Sequence, residues 1–148
     1  MRFHLVDRID TVEPWARIEA VKFTSSSEPY WATDDHGSHM PVPIQLEVLA
    51  QSAAWLVYLS TDRKHRAVLL SVGAVTARSR VRPGDDVVVT AEIRSAGDTI
   101  VLSGQLRVGD RIVVEVEDLM CALVDAETLE DLDSVRGREE LLRSGNQP

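Results

Sequence analysis

Cysteine is almost missing from this chain: Cys121 stands alone among 148 residues. No internal disulfide can form, and a reducing, cytoplasmic setting is the compartment expected. Basic residues are in the minority, 16 Lys plus Arg against 24 Asp plus Glu, for a net charge of −8. Broad nucleic-acid binding needs a basic face that displaces counterions, so no nucleic-acid partner is expected. The segment Met1-Arg2-Phe3-His4-Leu5-Val6-Asp7-Arg8 has no apolar core of signal-peptide length. The longest apolar stretch, Val48 to Leu59, is interrupted by Gln51 and Ser52. It reads as too short to cross a bilayer, so no membrane partner is expected either. A glycine-rich phosphate loop is also absent, which argues against a nucleotide cofactor. The four histidines are scattered, without the close Cys or carboxylate spacing of a metal site.

What is present is ordinary for one globular unit, with 44% hydrophobic and 27% charged residues. Phe3 to Val12 and Arg17 to Phe23 read as strands, the second alternating polar and apolar cleanly. Thr24 to Pro43 is irregular, and long loops in compact domains are often functional. Ile44 to Ser60 reads as a helix, started where Pro41 and Pro43 are tolerated. It is apolar almost all round, as a helix buried inside a sheet would be. Glu47, Gln51 and Tyr58 fall on one narrow polar stripe of it. Strands are then expected from Val68 to Arg80, from Val87 to Ile93, from Thr99 to Val108 and from Ile112 to Val124. The pairs Gly97-Asp98 and Gly109-Asp110 mark hairpin turns between them. The pattern predicts an α+β domain over residues 1–124. A charged, partly helical tail over 125–148 follows, with Leu129, Leu132, Leu141 and Leu142 as its apolar contacts. That tail holds seven acidic and three basic residues, half of the net charge.

Several short stretches together resemble the 3-hydroxyacyl-acyl-carrier-protein dehydratases of bacterial fatty acid synthesis. They are Leu5-Val6-Asp7-Arg8, Glu28-Pro29-Tyr30-Trp31, Met40-Pro41, Leu46-Glu47-Val48-Leu49-Ala50-Gln51, Ala77-Arg78, Pro83-Gly84-Asp85 and Leu119-Met120-Cys121-Ala122. The resemblance implies a hotdog fold, an antiparallel sheet wrapped around one long buried helix. It also implies a homodimer or a heterodimer, and an acyl carrier protein that delivers the acyl chain on phosphopantetheine, with no other cofactor.

On the same resemblance Glu47 is the general acid, and a loop histidine removes the Cα proton. Glu47 lies among Leu46, Val48, Leu49 and Ala50, surroundings expected to desolvate it and favour the proton-bearing form. Gln51, one turn on, could hold that carboxyl group. The histidine departs from the family pattern. Its position falls on Thr33 when counted back from Glu47, and on Asp34 when counted forward from Glu28-Pro29. His36 is the first candidate base and His39 the second. Val42 replaces a family glycine but keeps its N–H for the thioester oxygen. Gly73 aligns with a glycine that lets the thioester arm approach a strand, and Tyr58 joins the candidate substrate contacts.

Arg78, Arg80 and Arg82 alternate on one expected strand face, and Arg63 and Lys64 form a second basic cluster. Both are candidate docking points for an acidic carrier protein. Two other readings share these residues: a hotdog thioesterase in which Glu47 activates water, and a non-catalytic subunit of a heterodimeric dehydratase. A polyketide-type chain is an alternative to a fatty acyl chain.

Overall fold

The computed structural model describes residues 4–129 and 131–144. Phe3, expected to open the first strand, and the side chain of Leu129 lie outside the described residues. Six antiparallel strands form one sheet: β1 (Arg8–Glu13), β2 (Arg17–Phe23), β5 (His65–Ala77), β6 (Asp86–Ala96), β7 (Thr99–Val108) and β8 (Arg111–Asp125). Their order across the sheet is β1-β2-β6-β7-β8-β5. Alternation builds the inner face: Ile18 and Ala20 of β2 and Val87, Val89 and Ala91 of β6 are all buried.

The helix α1 (Val42–Ser60) lies in the concave side of this sheet, so the α+β, sheet-around-helix expectation holds. It begins two residues earlier than the apolar run suggested, because Pro41 serves as N-cap and Pro43 fits the second helical position, where no N–H is needed. Buried Gln45 ties this end down, its side-chain N–H donating to Met40 O at 3.1 Å. Val48, Leu49, Ala53, Leu56 and Val57 carry the packing. Gly104 of β7 allows the closest approach: a Cβ there would sit 2.5 Å from Leu49 Cδ1 and 2.6 Å from Thr90 O. The helix ends where Thr61 N–H and Oγ1 both donate to Val57 O, and Asp62 and Arg63 turn the chain with positive φ. At 19 residues it is long and apolar enough to cross a membrane by length and composition alone, contrary to the length expectation. Half of that stretch is buried inside the fold, as in a core helix.

The strand expected over Val68 to Arg80 is displaced to His65–Ala77. Arg78 and Ser79 N–H both donate to Val113 O, and the segment that carries the three alternating arginines runs on as irregular chain. β5 is an edge of the sheet, and Val68, Leu69, Leu70 and Val75 are exposed along it. The loop read as irregular contains a small hairpin, β3 (Ala32–Asp34) with β4 (Gly37–His39), too short for its periodicity to be read. The first two family-like stretches meet at its base. Lys22, only 4% exposed, has its Nζ 2.6 Å from Glu28 Oε1 and 3.4 Å from Asp7 Oδ2. Tyr30 OH donates to the other oxygen of Glu28.

After β8 come α2 (Ala126–Leu129) and α3 (Leu132–Ser144). Asp131 Oδ2 accepts from Ser134 N–H and Oγ, a side-chain cap on the first turn of α3. Val135, Glu139 and Leu142, spaced i, i+4, i+7, form its buried face. Arg63 clamps Glu139 with two bonds of 2.7 and 2.8 Å, and Arg138 donates to Val6 O. The single cysteine, Cys121, is buried in β8, and that burial pushes its thiol up to about 11.

Candidate active site

Glu47 sits in the second turn of α1 on the side turned away from the sheet. The structure corrects the expected desolvation: Glu47 is exposed in the single chain, because its apolar sequence neighbours point around the helix into the core while it points outward. Its carboxylate is oriented by Gln51. The Gln51 side-chain N–H donates to Glu47 Oε1 at 3.0 Å, and Gln51 Oε1 accepts from Leu5 N–H at 2.8 Å. The backbone donor fixes which end of the amide faces Glu47. The Gln51 bond engages Glu47 Oε1 and not Oε2.

Both side chains line a cavity of about 530 Å³, within the range of small-molecule sites. Ala54 and Trp55 extend the α1 wall from Glu47 and Gln51. The opposite wall is the tail helix, through Val135, Gly137, Arg138 and Leu141. His4 and Arg66 complete the lining. The Arg66 guanidinium lies 5.1 Å from the Trp55 ring centre and 5.3 Å from that of Tyr58.

Sequence reasoning missed several of these residues. His4 falls within the strand expected over Phe3 to Val12, yet it precedes β1 and shares the cavity with Glu47. Ala54 and Trp55 were findable, being three and four positions beyond Gln51. The tail was expected to be partly helical, but nothing local could set α3 beside this cavity, because its place depends on how the chain returns after β8.

Tyr58 is corrected. It lies on the helical face of Glu47, but Arg66 covers it there and it is 2% exposed, edge-on to Trp55 at 5.6 Å. Burial raises its hydroxyl above the ordinary value. Tyr58 is not among the lining residues of the Glu47 cavity. Gly73 has a structural reason of its own. It lies across from Asp118, whose φ is 55°, and a Cβ at 73 would come within 2.7 Å of Asp118 Cβ.

The histidine loop is held from outside. Arg80 grips the Asp34 carboxylate with bonds of 3.0 and 2.7 Å and reaches His39 Nδ1 at 3.1 Å. That pairing holds the Asp34 carboxyl well below the usual carboxylate range. Arg82 donates to His36 O at 2.9 Å, and Asp34 Oδ1 accepts from His36 N–H. His36 is therefore exposed at the tip of a braced turn, while His39 is half-buried against Arg80. Thr33, at one counted family position, faces Ser38 with its hydroxyl 3.1 Å away. Neither His36 nor His39 lines the cavity that contains Glu47. Val42 begins α1, where a helix N–H has no acceptor within the helix.

The basic clusters are engaged internally. Arg78 pairs with Glu115 at 2.7 Å, Arg80 with Asp34, Arg82 with the hairpin and Arg63 with Glu139. The common strand face expected for Arg78, Arg80 and Arg82 does not form, since β5 has ended before them. Lys64 is exposed. Among the described residues, no group of three His, Cys, Asp or Glu side chains could hold a metal ion.

No protein-family model matches the chain. A 3-hydroxyacyl-(acyl-carrier-protein) dehydratase FabZ of Ralstonia nicotianae is 33% identical over 125 residues, covering 80% of this chain and 76% of the relative. The FabZ of a Polaromonas species is 36% identical over 126 residues, covering 80% and 86%. Among solved structures of the hotdog fold, the dehydratase heterocomplex ApeI:P from Xenorhabdus doucetiae superposes with a TM-score of 0.67 at 15% identity, over 85% of this chain and 86% of that one. The fluoroacetyl-CoA thioesterase FlK superposes with a TM-score of 0.64 at 13% identity, over 88% and 98%. At such identities the structures speak for the fold alone.

Proposed function

The chain belongs to the family of 3-hydroxyacyl-(acyl-carrier-protein) dehydratases, and on that premise we propose that it removes water from a 3-hydroxyacyl thioester on an acyl carrier protein. The product is the trans-2-enoyl thioester of fatty acid or polyketide-type assembly. The carrying observation is the Gln51-oriented carboxyl of Glu47 in a cavity on the open side of α1. A base takes the Cα proton, the Cα–Cβ double bond forms and the Cβ–O bond breaks. Glu47 Oε2 delivers a proton to the departing hydroxyl, which leaves as water. The Val42 N–H stabilises the negative charge that gathers on the thioester oxygen. The acyl group travels on phosphopantetheine, and the reaction needs no other cofactor.

The active unit is a dimer. Exposed Val68, Leu69, Leu70 and Val75 on edge strand β5 suit pairing with the same strand of a second copy, which removes both edges. The partner then covers Glu47 and supplies the base, since the single-chain cavity holds neither loop histidine. His36 is that base, carried on the braced hairpin tip. His39 positions the hairpin, half-buried with Nδ1 3.1 Å from Arg80 and 3.9 Å from Asp34 Oδ2. Arg78, Arg82 and Lys64 remain at the surface for an acidic carrier protein, whereas Arg63 and Arg80 serve the fold. A cytoplasmic setting accords with the single buried cysteine.

The separation of Glu47 from both histidines also favours a second reading, a subunit that needs a different partner for its base. Purified protein with a 3-hydroxyacyl carrier-protein thioester separates the readings, with products identified by mass spectrometry. Enoyl thioester from the protein alone is expected. Free thiol would mean a thioesterase, and inactivity relieved only by a related subunit would mean the heterodimer.

A further inference from the structure

The tail helix α3 places an unusual residue opposite Glu47. Gly137 lies in the interior of a 13-residue helix, where glycine is among the poorest formers. The usual excuse for a helical glycine, close approach of another segment, does not apply: a Cβ added at 137 meets nothing within 4 Å. Gly137 is exposed, and the space in front of it opens on the cavity that Glu47 also lines. Ser134, Gly137, Arg138 and Leu141 follow the i, i+3, i+4, i+7 pattern, so they share the face of α3 turned to that cavity. The adjacent face is anchored by buried Leu142, by Glu139 clamped to Arg63 and by Val135, which is buried at the edge of the same cavity. Leu141, at the cavity wall, is 63% exposed, a large apolar surface that an aliphatic ligand would cover.

We propose that α3 is the far wall of the acyl-chain pocket and that Gly137 sets its depth. The missing side chain leaves room for the distal carbons of the substrate between Trp55 and Leu141, and the clamp of Arg63 on Glu139 holds the wall at that distance. The inference rests on the dehydratase reading for the identity of the chain bound there. It makes a tail helix outside the sheet-and-helix domain the determinant of acyl length.

The test compares the full-length protein with Gly137→Leu and Gly137→Ala on carrier-protein thioesters of short, medium and long 3-hydroxyacyl chains. Leucine keeps helix propensity high while it projects into the cavity. The ratio of long-chain to short-chain kcat/KM should fall at least about tenfold in Gly137→Leu, and less in Gly137→Ala, because losing room for even one methylene costs about that much. Equal losses at every length, or none, would overturn the proposal. Thermal melts guard against misfolding, with Gly137→Ala melting above the wild type if the helix is as described. Affinities for non-reactive acyl-pantetheine thioethers of the same lengths separate the two readings. If the wild type turns nothing over yet binds thioethers with a length preference that Gly137→Leu abolishes, the reaction is misassigned and the wall stands. If turnover is normal and the length preference unchanged, the wall is misassigned and the reaction stands.

Discussion

Gln51 donates to Glu47 at 3.0 Å while its own oxygen accepts from Leu5 N–H at 2.8 Å, so one amide joins the candidate acid to the backbone of buried Leu5. The carboxylate is thereby held at one oxygen.

Glu47→Gln should therefore abolish dehydration without unfolding the protein, a loss of roughly a hundred- to ten-thousand-fold in kcat. Glu47 is exposed, so circular dichroism and melting temperature should match the wild type. Gln51→Ala should lower kcat about tenfold with a smaller change in KM, since it disturbs orientation rather than binding. It should also lower the melting temperature, because a buried Leu5 N–H loses its acceptor. Full turnover by Glu47→Gln would remove this residue from the reaction.

Three histidine variants locate the base. His36→Ala should cost more activity than His39→Ala, which should act mainly by loosening the hairpin and so lower the melting temperature as well. His4→Ala should cost least. If His4→Ala proves the most damaging, the proton partner of Glu47 lies in its own chain, within the cavity the two residues share.

Leu70 is 56% exposed on edge strand β5. Leu70→Lys should convert a two-chain species into a single chain in light scattering, and activity should fall with it. A lysine on an edge strand discourages pairing. A wild-type protein that already weighs as one chain at working concentration would sink the dimer.

Glu139 couples the tail to the domain, and Arg63 lowers its carboxyl below the ordinary value. A lowered carboxyl stabilises the fold above the unfolded-state value and ceases to do so as pH falls through the folded one. Glu139→Gln should cost about 2 kcal/mol near neutral pH, discounted from the buried-pair range because Arg63 is partly solvated. Denaturant titrations should show the gap to the wild type narrowing in the acid range below about 4.5, the ordinary carboxyl value. A gap constant with pH would mean that the Arg63–Glu139 pair contributes through shape alone.

The elements most readable from sequence were those with long, regular patterns. The β7 strand falls at Thr99–Val108 as its flanking Gly-Asp turns predict, and α1 follows its apolar run to Ser60. Readability failed where partners come from far along the chain. Arg80 looked like a docking residue because nothing near it in sequence shows Asp34, which is brought within 2.7 Å only by the fold. Tyr58 looked like a substrate contact on the stripe of Glu47 because helical spacing ignores what covers each level of the helix.

By itself the sequence determined an α+β plan, the buried helix and Glu47 with Gln51 one turn on, which follow from periodicity, a property of neighbouring residues. The hotdog fold and the family came from the resemblance of its short motifs to the dehydratases. Only the tertiary structure decided that Glu47 and the tail helix line one cavity, that Gly137 faces it and that neither loop histidine lines it. Those relations depend on where distant segments return, and backbone direction after a turn is set by packing across the whole sheet.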